Sequence, residues 1–275
     1  LRATISLQKM TTQQIHSCHL GPDISPEQII SDHYFMFLLK GSIKAYDGKK
    51  QYVMQPGDSF IARKNHLIRY TKFKENGQFI KIIITLDEPF LKRFTQRHAY
   101  TVGPSTYGDS FLFVNQNPFI KQYIQSLEPY YSSDSELDET FADIKREELL
   151  LILLRSQPEL ASIFFNFSSP HKIDLEEYMQ QNFRFNISLE RFAFLTGRSV
   201  SSFKRDFKKT FGMTPGSWLL KKRLDEAYFQ LSRQHQKPSM VYLEVGFEDL
   251  SHFSFVFKKT FGKTPSEVAT SGLHQ

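Results

Sequence analysis

Ser201-Ser202-Phe203-Lys204-Arg205-Asp206-Phe207-Lys208-Lys209-Thr210-Phe211-Gly212-Met213-Thr214-Pro215 returns fifty residues later as Ser251-His252-Phe253-Ser254-Phe255-Val256-Phe257-Lys258-Lys259-Thr260-Phe261-Gly262-Lys263-Thr264-Pro265. Ten of the fifteen positions are identical: the leading Ser, the three Phe, Lys-Lys-Thr, Gly and Thr-Pro. A repeat names an architecture before any single residue does. Two copies are too few for a solenoid, so the chain carries a pair of matched small modules.

Each copy reads as helix, tight turn, helix. In the first, Ser188 caps Leu189 to Leu195, Thr196-Gly197-Arg198 makes the turn, and Ser199 caps the next helix. Val200, Phe203, Phe207 and Phe211 or Thr210 then form one apolar stripe at spacings of three and four. The opposite face carries Ser201, Ser202, Lys204, Arg205, Lys208 and Lys209. Gly212 ends the helix and Thr214-Pro215 opens another. The second copy runs Ser239 to Val245, a turn at Gly246-Phe247-Glu248, a helix from Asp249 to Phe261, then Gly262 and Thr264-Pro265. Two helices joined by a Gly-containing turn, with a polar outer face on the second, form the helix-turn-helix pattern. Small polar side chains let such a helix approach a groove, and long cations reach phosphate or guanine. The repeated Phe residues read as core and not as base-stacking groups.

Charge points the same way. The chain is +6 overall, and residues 170–275 hold 16 Lys/Arg against 11 Asp/Glu. Between Leu195 and Arg223, eight basic residues face a single acid, Asp206, which is the footprint of a phosphate-binding surface or, more blandly, of a solvated helix face. With one cysteine, Cys18, neither an intrachain disulfide nor a Cys-rich zinc site is possible. No signal-peptide run opens the sequence and no stretch approaches the roughly 18 apolar residues of a membrane span. A cytoplasmic protein without membrane contact is expected.

The first hundred residues read as short strands. Phe35 to Leu39, Ile43 to Tyr52 around an Asp47-Gly48 hairpin, Ser59 to Ala62 after Gln55-Pro56-Gly57-Asp58, and Phe79 to Ile84 after Asn76-Gly77 favour a β-barrel or sandwich. Helices follow: Glu88 to Ala99, Asn117-Pro118 through about Tyr130, and Glu136 to Leu154 after a Ser132–Ser135 break. The last of these, with Leu149 to Leu154 apolar nearly all round, reads as buried against its own domain or as a subunit interface. Ser168-Ser169-Pro170-His171-Lys172 is the expected linker. It separates a domain at 1–167, helical over about 88–167, from an all-α domain at 173–275. The fold class is α+β, multidomain.

Gly246-Phe247-Glu248-Asp249, Ser251-His252-Phe253-Ser254 and Phe257 through Pro265 resemble the signature of the AraC/XylS transcription regulators. The upstream degenerate copy and a connecting helix, Trp218 to Leu231 with its Arg223-Leu224 pair, match as well. The resemblance covers about Ile173 to Val268. It implies two helix-turn-helix subdomains joined by one long helix, with recognition helices in successive major grooves. The DNA-binding residues it implies are Ser201, Ser202, Lys204, Arg205, Lys208 and Lys209 in the first module. In the second they are Ser251, His252, Ser254, Phe255 and Lys258. Phe255 departs from the family, whose members often carry a basic residue there. The first module is therefore expected to supply most electrostatic affinity, and the second to read thymine methyls through Phe255 or to bind weakly.

Gly41 through Tyr70, with Pro56-Gly57-Asp58-Ser59-Phe60-Ile61 and Asn65-His66, resembles the cupin-type sensor domain found before such a unit. His-x-His occurs nowhere, and His33 and His66 have no paired carboxylate at the spacing of metal-binding cupins. A metal-free barrel with no cofactor is expected, its interior open to a small ligand or filled by Tyr34, Phe37, Tyr46, Tyr52, Phe60 and Tyr70. The expected function is a sequence-specific transcription regulator with no catalytic residues, an activator by family habit. Its expected partners are double-stranded DNA, RNA polymerase, a small-molecule effector or protein antagonist, and a second copy joined through the N-terminal domain. The alternatives are a metal-dependent cupin enzyme with a DNA-binding appendage, and a protein-interaction module without specific DNA binding.

Overall fold

Gln51–Met54 alternates exposed and buried positions, the period of a strand with one face on a core, whereas His33–Lys40 is buried on both faces and so reads as a continuous apolar run. A computed structural model describes residues 15–18, 29–100, 108–115, 117–128, 139–234 and 236–271. Its strands are β1 (Ile15–Cys18), β2 (Ile29–Ile30), β3 (His33–Lys40), β4 (Ser42–Tyr46), β5 (Gln51–Met54), β6 (Ser59–Ala62), β7 (His66–Leu67), β8 (Arg69–Phe73), β9 (Ile80–Leu86) and β10 (Phe111–Phe113). They form a five-stranded sheet in the order β1-β9-β3-β6-β10, a three-stranded sheet β5-β4-β8, and the pair β2-β7, all antiparallel. Gly41, at φ 83°, turns the chain from one sheet to the other; a Cβ there would meet the Phe73 carbonyl at 2.5 Å. Met36, Met54, Phe60, Phe79 and Phe111 share the core between the sheets. Of the six aromatics expected to fill the interior, Phe60 and Tyr52 are buried there, with Tyr34 and Tyr70 packed at its margin.

The Asp47-Gly48 turn is longer than the two-residue hairpin expected. Tyr46 pairs with Gln51 across a four-residue loop, because the Asp47 carboxylate accepts from the amides of Lys49 (2.9 Å) and Lys50 (2.8 Å).

Helices cover the other face of the large sheet, where Phe35, Ile61, Ile82 and Ile84 meet α1 (Glu88–Arg97), α2 (Pro118–Ser126) and α3 (Glu139–Ser156). Asp87 caps α1, accepting from the Phe90 amide at 2.9 Å. The helix stops at Arg97 and not Ala99, since His98 is extended and turns its ring to Glu147 at 3.0 Å. Asn117 caps α2, which runs to Ser126. Tyr130, the 132–135 break and residues 136–138 lie outside the described residues. In α3 Leu149, Leu150, Leu153 and Leu154 are buried while Leu151 is exposed, so the helix is not enclosed on every side. Arg146, fully buried, pairs with Asp87 and with Asp143 (2.9 Å), and its guanidinium lies 4.0 Å above the Phe90 ring.

After the single turn α4 (Ala161–Phe164) come α5 (Leu175–Asn182), α6 (Leu189–Leu195), α7 (Val200–Phe211), α8 (Pro215–Arg233), α9 (Pro238–Glu244), α10 (Leu250–Phe261) and α11 (Pro265–Ser271). They bury two separate cores. Phe192, Phe203, Phe207 and Trp218 lie in one; Leu224, Val241, Phe253 and Phe257 lie in the other. The long helix α8 serves both, giving Trp218 and Leu219 to the first and Leu224, Ala227 and Leu231 to the second. No helix among the described residues is long and apolar enough to cross a membrane.

The β-rich part docks on both helical modules. Leu67 is a member of the first core, and Tyr46 stacks on Phe185 with ring centroids 6.2 Å apart. Arg69 of β8 donates to the carbonyls of Leu243 (3.0 Å) and Glu244 (2.8 Å), at the C-terminal end of α9.

Candidate nucleic-acid interface

Local chemistry fixes both repeated units. Ser188 caps α6 by accepting from the Arg191 amide (3.3 Å), and Ser199 caps α7 through the Ser202 amide (3.3 Å). Phe203 and Phe207 are fully buried, and Phe211, not Thr210, completes the stripe. Gly212, left-handed at φ 70°, donates to the Lys208 carbonyl at 3.0 Å. In the second unit Asp249 caps α10 through the His252 amide (2.5 Å), and Gly262 donates to Lys258 at 2.8 Å. Thr264 and Glu267 then form a reciprocal capping box on α11, with Thr264 N–H to Glu267 at 2.6 Å and Glu267 N–H to Thr264 at 3.2 Å. The first helices of the two units start at Leu189 and Pro238, the second at Val200 and Leu250, so the second turn is one residue longer.

The polar face of α7 presents Ser201, Lys204, Arg205, Lys208 and Lys209 exposed and Ser202 half-buried, its hydroxyl on Ser199 Oγ at 3.1 Å. Arg198 of the turn is drawn inward, donating to the carbonyls of Thr196 (2.7 Å) and Ile173 (3.0 Å). Asp206 lies at the flank of this face, held by Lys172 (3.1 Å) and Arg198 (3.2 Å), with Arg205 Nε 3.5 Å away. These cations, Lys172 first, hold its carboxyl below the usual range. The face of α10 presents Ser251, His252, Phe255 and Lys258 exposed and Ser254 half-buried. Phe255 is 67 % exposed although its neighbours Phe253 and Phe257 are fully buried. The two faces share Lys-Lys at their C-terminal ends and differ in the middle, where Lys204-Arg205 corresponds to Ser254-Phe255.

Sequence reasoning missed what holds the modules to each other. Arg223, half-buried on α8, donates to the carbonyls of Phe183 (2.8 Å) and Phe185 (2.8 Å) in the first unit and Gly246 (3.1 Å) in the second. Burial pulls its guanidinium down to about 10. Gly246, at φ 94°, is the turn glycine there; a Cβ would lie 2.5 Å from the Arg184 carbonyl. Gly197 serves the first turn at φ 66°, where a Cβ would fall 2.4 Å from the His171 carbonyl oxygen. The signal was present for Arg223, one helical turn from Leu219, Leu220 and Ala227 in a helix serving two cores. For Arg69, on a half-polar strand, the sequence carried none. Among the described residues no cluster of His, Cys, Asp and Glu is arranged to hold a metal ion.

Two family models match the chain. An ExsA N-terminal regulatory domain covers residues 33–163, and a helix-turn-helix domain covers residues 192–271. The chain is 24 % identical over 261 residues to the HTH-type transcriptional regulator ExsA of Pseudomonas aeruginosa, spanning 92 % of each. It is 26 % identical over 246 residues to the virulence regulon transcriptional activator VirF of Yersinia enterocolitica, spanning 86 % of this chain and 90 % of the other. Among solved structures it is similar to an apo ToxT variant from Vibrio cholerae, at 16 % identity and a TM-score of 0.45, covering 93 % of this chain and 96 % of that one.

Proposed function

Since this chain belongs to the AraC/XylS family of DNA-binding transcription regulators, we propose that it activates transcription by gripping one operator with two unequal recognition helices, α7 and α10. The observation that carries the reading is the pair of capped, Phe-anchored helices whose outer faces stay exposed while α8 and Arg223 hold them in one unit. On α7, Lys204, Arg205, Lys208 and Lys209 engage phosphate and guanine, with Ser201 and Ser202 at the closest approach. On α10, Ser251, His252, Ser254 and Lys258 make fewer ionic contacts, and Phe255 packs on thymine methyls. Residues 1–167 form the sensing part, 168–172 the linker and 173–275 the DNA-binding part. A small ligand or a protein antagonist at the sensing part selects between two dispositions of these parts, and RNA polymerase and a second copy of the chain are its further partners. The names of the ExsA and VirF relatives support regulation and, for VirF, activation.

The test is binding of the full chain to duplexes from its own upstream region, set against shuffled duplexes, by fluorescence anisotropy at moderate salt. Specific sites are expected to bind about a thousandfold or more tighter than shuffled ones. Equal affinity for both removes the claim of specificity.

A further inference from the structure

A cavity of about 390 Å³ opens where three parts of the chain meet. One wall is the β6–β7 turn and the loop after β4, another the 166–173 segment, and the third the first helical module at Tyr178, Asn182 and Leu195. Cationic or imidazole side chains enter from several sides: His33, Lys49, Arg63, Lys64, His66 and His171. Asp47 is the acid among the lining residues, and its carboxylate is engaged by the Tyr52 hydroxyl (2.7 Å) and two loop amides. Lys64 is shared with Glu88, at 3.1 Å. The rest of the lining is rich in hydroxyls and amides, among them Ser110, Ser162, Asn65, Asn166 and Gln181.

His33 adds a second observation. It is 3 % exposed, its Nδ1 accepts from the Lys64 amide at 3.2 Å, and its proton therefore sits on Nε2. That buried Nε2 makes no hydrogen bond of ordinary geometry and interacts only loosely with the Ile163 backbone. A buried donor so poorly satisfied is costly, and since His33 and Ile163 both line the cavity an anionic oxygen there would complete its bonding. Burial first, then Lys64 and Arg63, hold this imidazole neutral, down to about 3. The surroundings are thus already rich in positive charge.

The geometry points to this junction as a binding site for a small phosphate ester with a hydroxylated body, the size of a sugar phosphate or nucleoside monophosphate. Arg63 and Lys64 meet the phosphoryl group, which suits guanidinium and ammonium donors. The hydroxyls and amides take the body, and a half-polar lining of this kind does not suit an acyl chain. The inference rests on the reading above that a small ligand governs the protein, and places that ligand between the parts and not inside the barrel. A ligand there touches the segment whose His171 carbonyl packs on Gly197 and whose Lys172 holds Asp206 of α7. Its binding is therefore felt at the first recognition helix.

The experiment titrates the full chain with inorganic phosphate, glucose 6-phosphate and AMP, with glucose and decanoate as counter-probes, by calorimetry and thermal melting. A phosphate ester is expected to raise the melting midpoint by about 5 °C at a hundredfold excess over its Kd. Arg63→Gln is expected to weaken binding about tenfold or more. Lys49→Gln and His171→Ala, at exposed positions, are expected to weaken it by about threefold and carry the test if Arg63→Gln does not fold. Saturation by inorganic phosphate alone would reduce the site to a bare phosphate site and overturn the ester; binding of decanoate only, no binding of any phosphate, or unchanged affinity in every variant overturns the site. DNA affinity of the ligand-free chain is measured alongside. Its loss would sink the regulator reading, whereas failed phosphate binding with intact DNA binding sinks this site alone.

Discussion

Arg205 and Phe255 occupy the same place in the two copies, and the contrast between them sets the chemistry of each reader. Arg205 has a side chain 76 % exposed beside a single partly engaged acid, so its charge is available to phosphate or guanine. Phe255 offers only apolar area. Each phosphate neutralised contributes about 0.9 to the slope of log K against log salt. The double substitution Lys204→Ala with Arg205→Ala is therefore expected to reduce that slope by about 2 and to weaken binding by tenfold or more at 100 mM salt, roughly. Phe255→Ala should leave the slope unchanged and relax preference at one A·T position. Anisotropy across a salt series separates the two, and a slope change in Phe255→Ala alone would reverse the assignment. His33 makes a separate prediction. It is neutral when folded, held down to about 3, and near its ordinary value when unfolded, so the unfolded chain binds more protons below about pH 6.5. Its contribution is complete above that value and is lost as pH falls toward 3, by up to about 1.4 kcal/mol per pH unit. Urea melts at pH 7 and pH 5 should converge in His33→Asn relative to the wild type; an unchanged pH dependence would show that His33 is not its source.

At the scale of elements, the helices of the two modules were legible because their boundaries are local chemistry. Ser188, Ser199 and Asp249 cap within three residues, Gly212 and Gly262 terminate by their own backbone, and the Phe stripe needs no knowledge of distant chain. Arg146 was illegible for the opposite reason. It sits in a charged stretch that reads as a solvated face, and Asp87, 59 residues away, turns it inward together with Asp143 and the Phe90 ring. Removing Asp87 leaves the buried guanidinium with Asp143 as its remaining carboxylate, an under-compensated charge. Asp87→Ala also removes the cap of α1, so it is expected to cost about 3–5 kcal/mol, whereas the double change Asp87→Ala with Arg146→Met should recover part of that loss. Denaturant midpoints of the three proteins check the coupling. The turn glycines belong here too: Gly197→Ala forces a side chain into a left-handed residue and onto the backbone of the 168–172 segment, at 2.3–2.4 Å from His171 and Lys172 atoms. A loss of about 2–3 kcal/mol is expected, and the same substitution at Gly212, where no atom lies within 4 Å, should cost less.

For the molecule as a whole, two guanidiniums grip the same short stretch from different sides. Arg223 joins Gly246 to the first module through three carbonyls, and Arg69 joins Leu243 and Glu244 to the β-rich part through two. Charge-assisted bonds to carbonyls contribute about 1.5–3 kcal/mol each, so both grips exceed what thermal motion breaks. Their consequences differ. Arg223 fixes the separation of α7 from α10, which must match successive turns of one duplex. Arg223→Met is expected to weaken specific binding by about tenfold or more and leave non-specific binding nearly unchanged, because the phosphate-binding cations remain in place. Arg69 fixes neither recognition helix against the other; it fixes the second module against the β-rich part, which otherwise docks on the first through Leu67 and Tyr46. Arg69→Met should therefore preserve the affinity of the isolated operator complex to within about threefold while loosening α9 from β8, seen as faster amide exchange across residues 238–249. Any influence of the β-rich part on DNA binding that travels through the second module would vanish in that variant, and any that travels through Lys172 and Asp206 would survive. A tenfold loss of specific affinity in Arg69→Met with Arg223→Met unaffected would exchange the two roles.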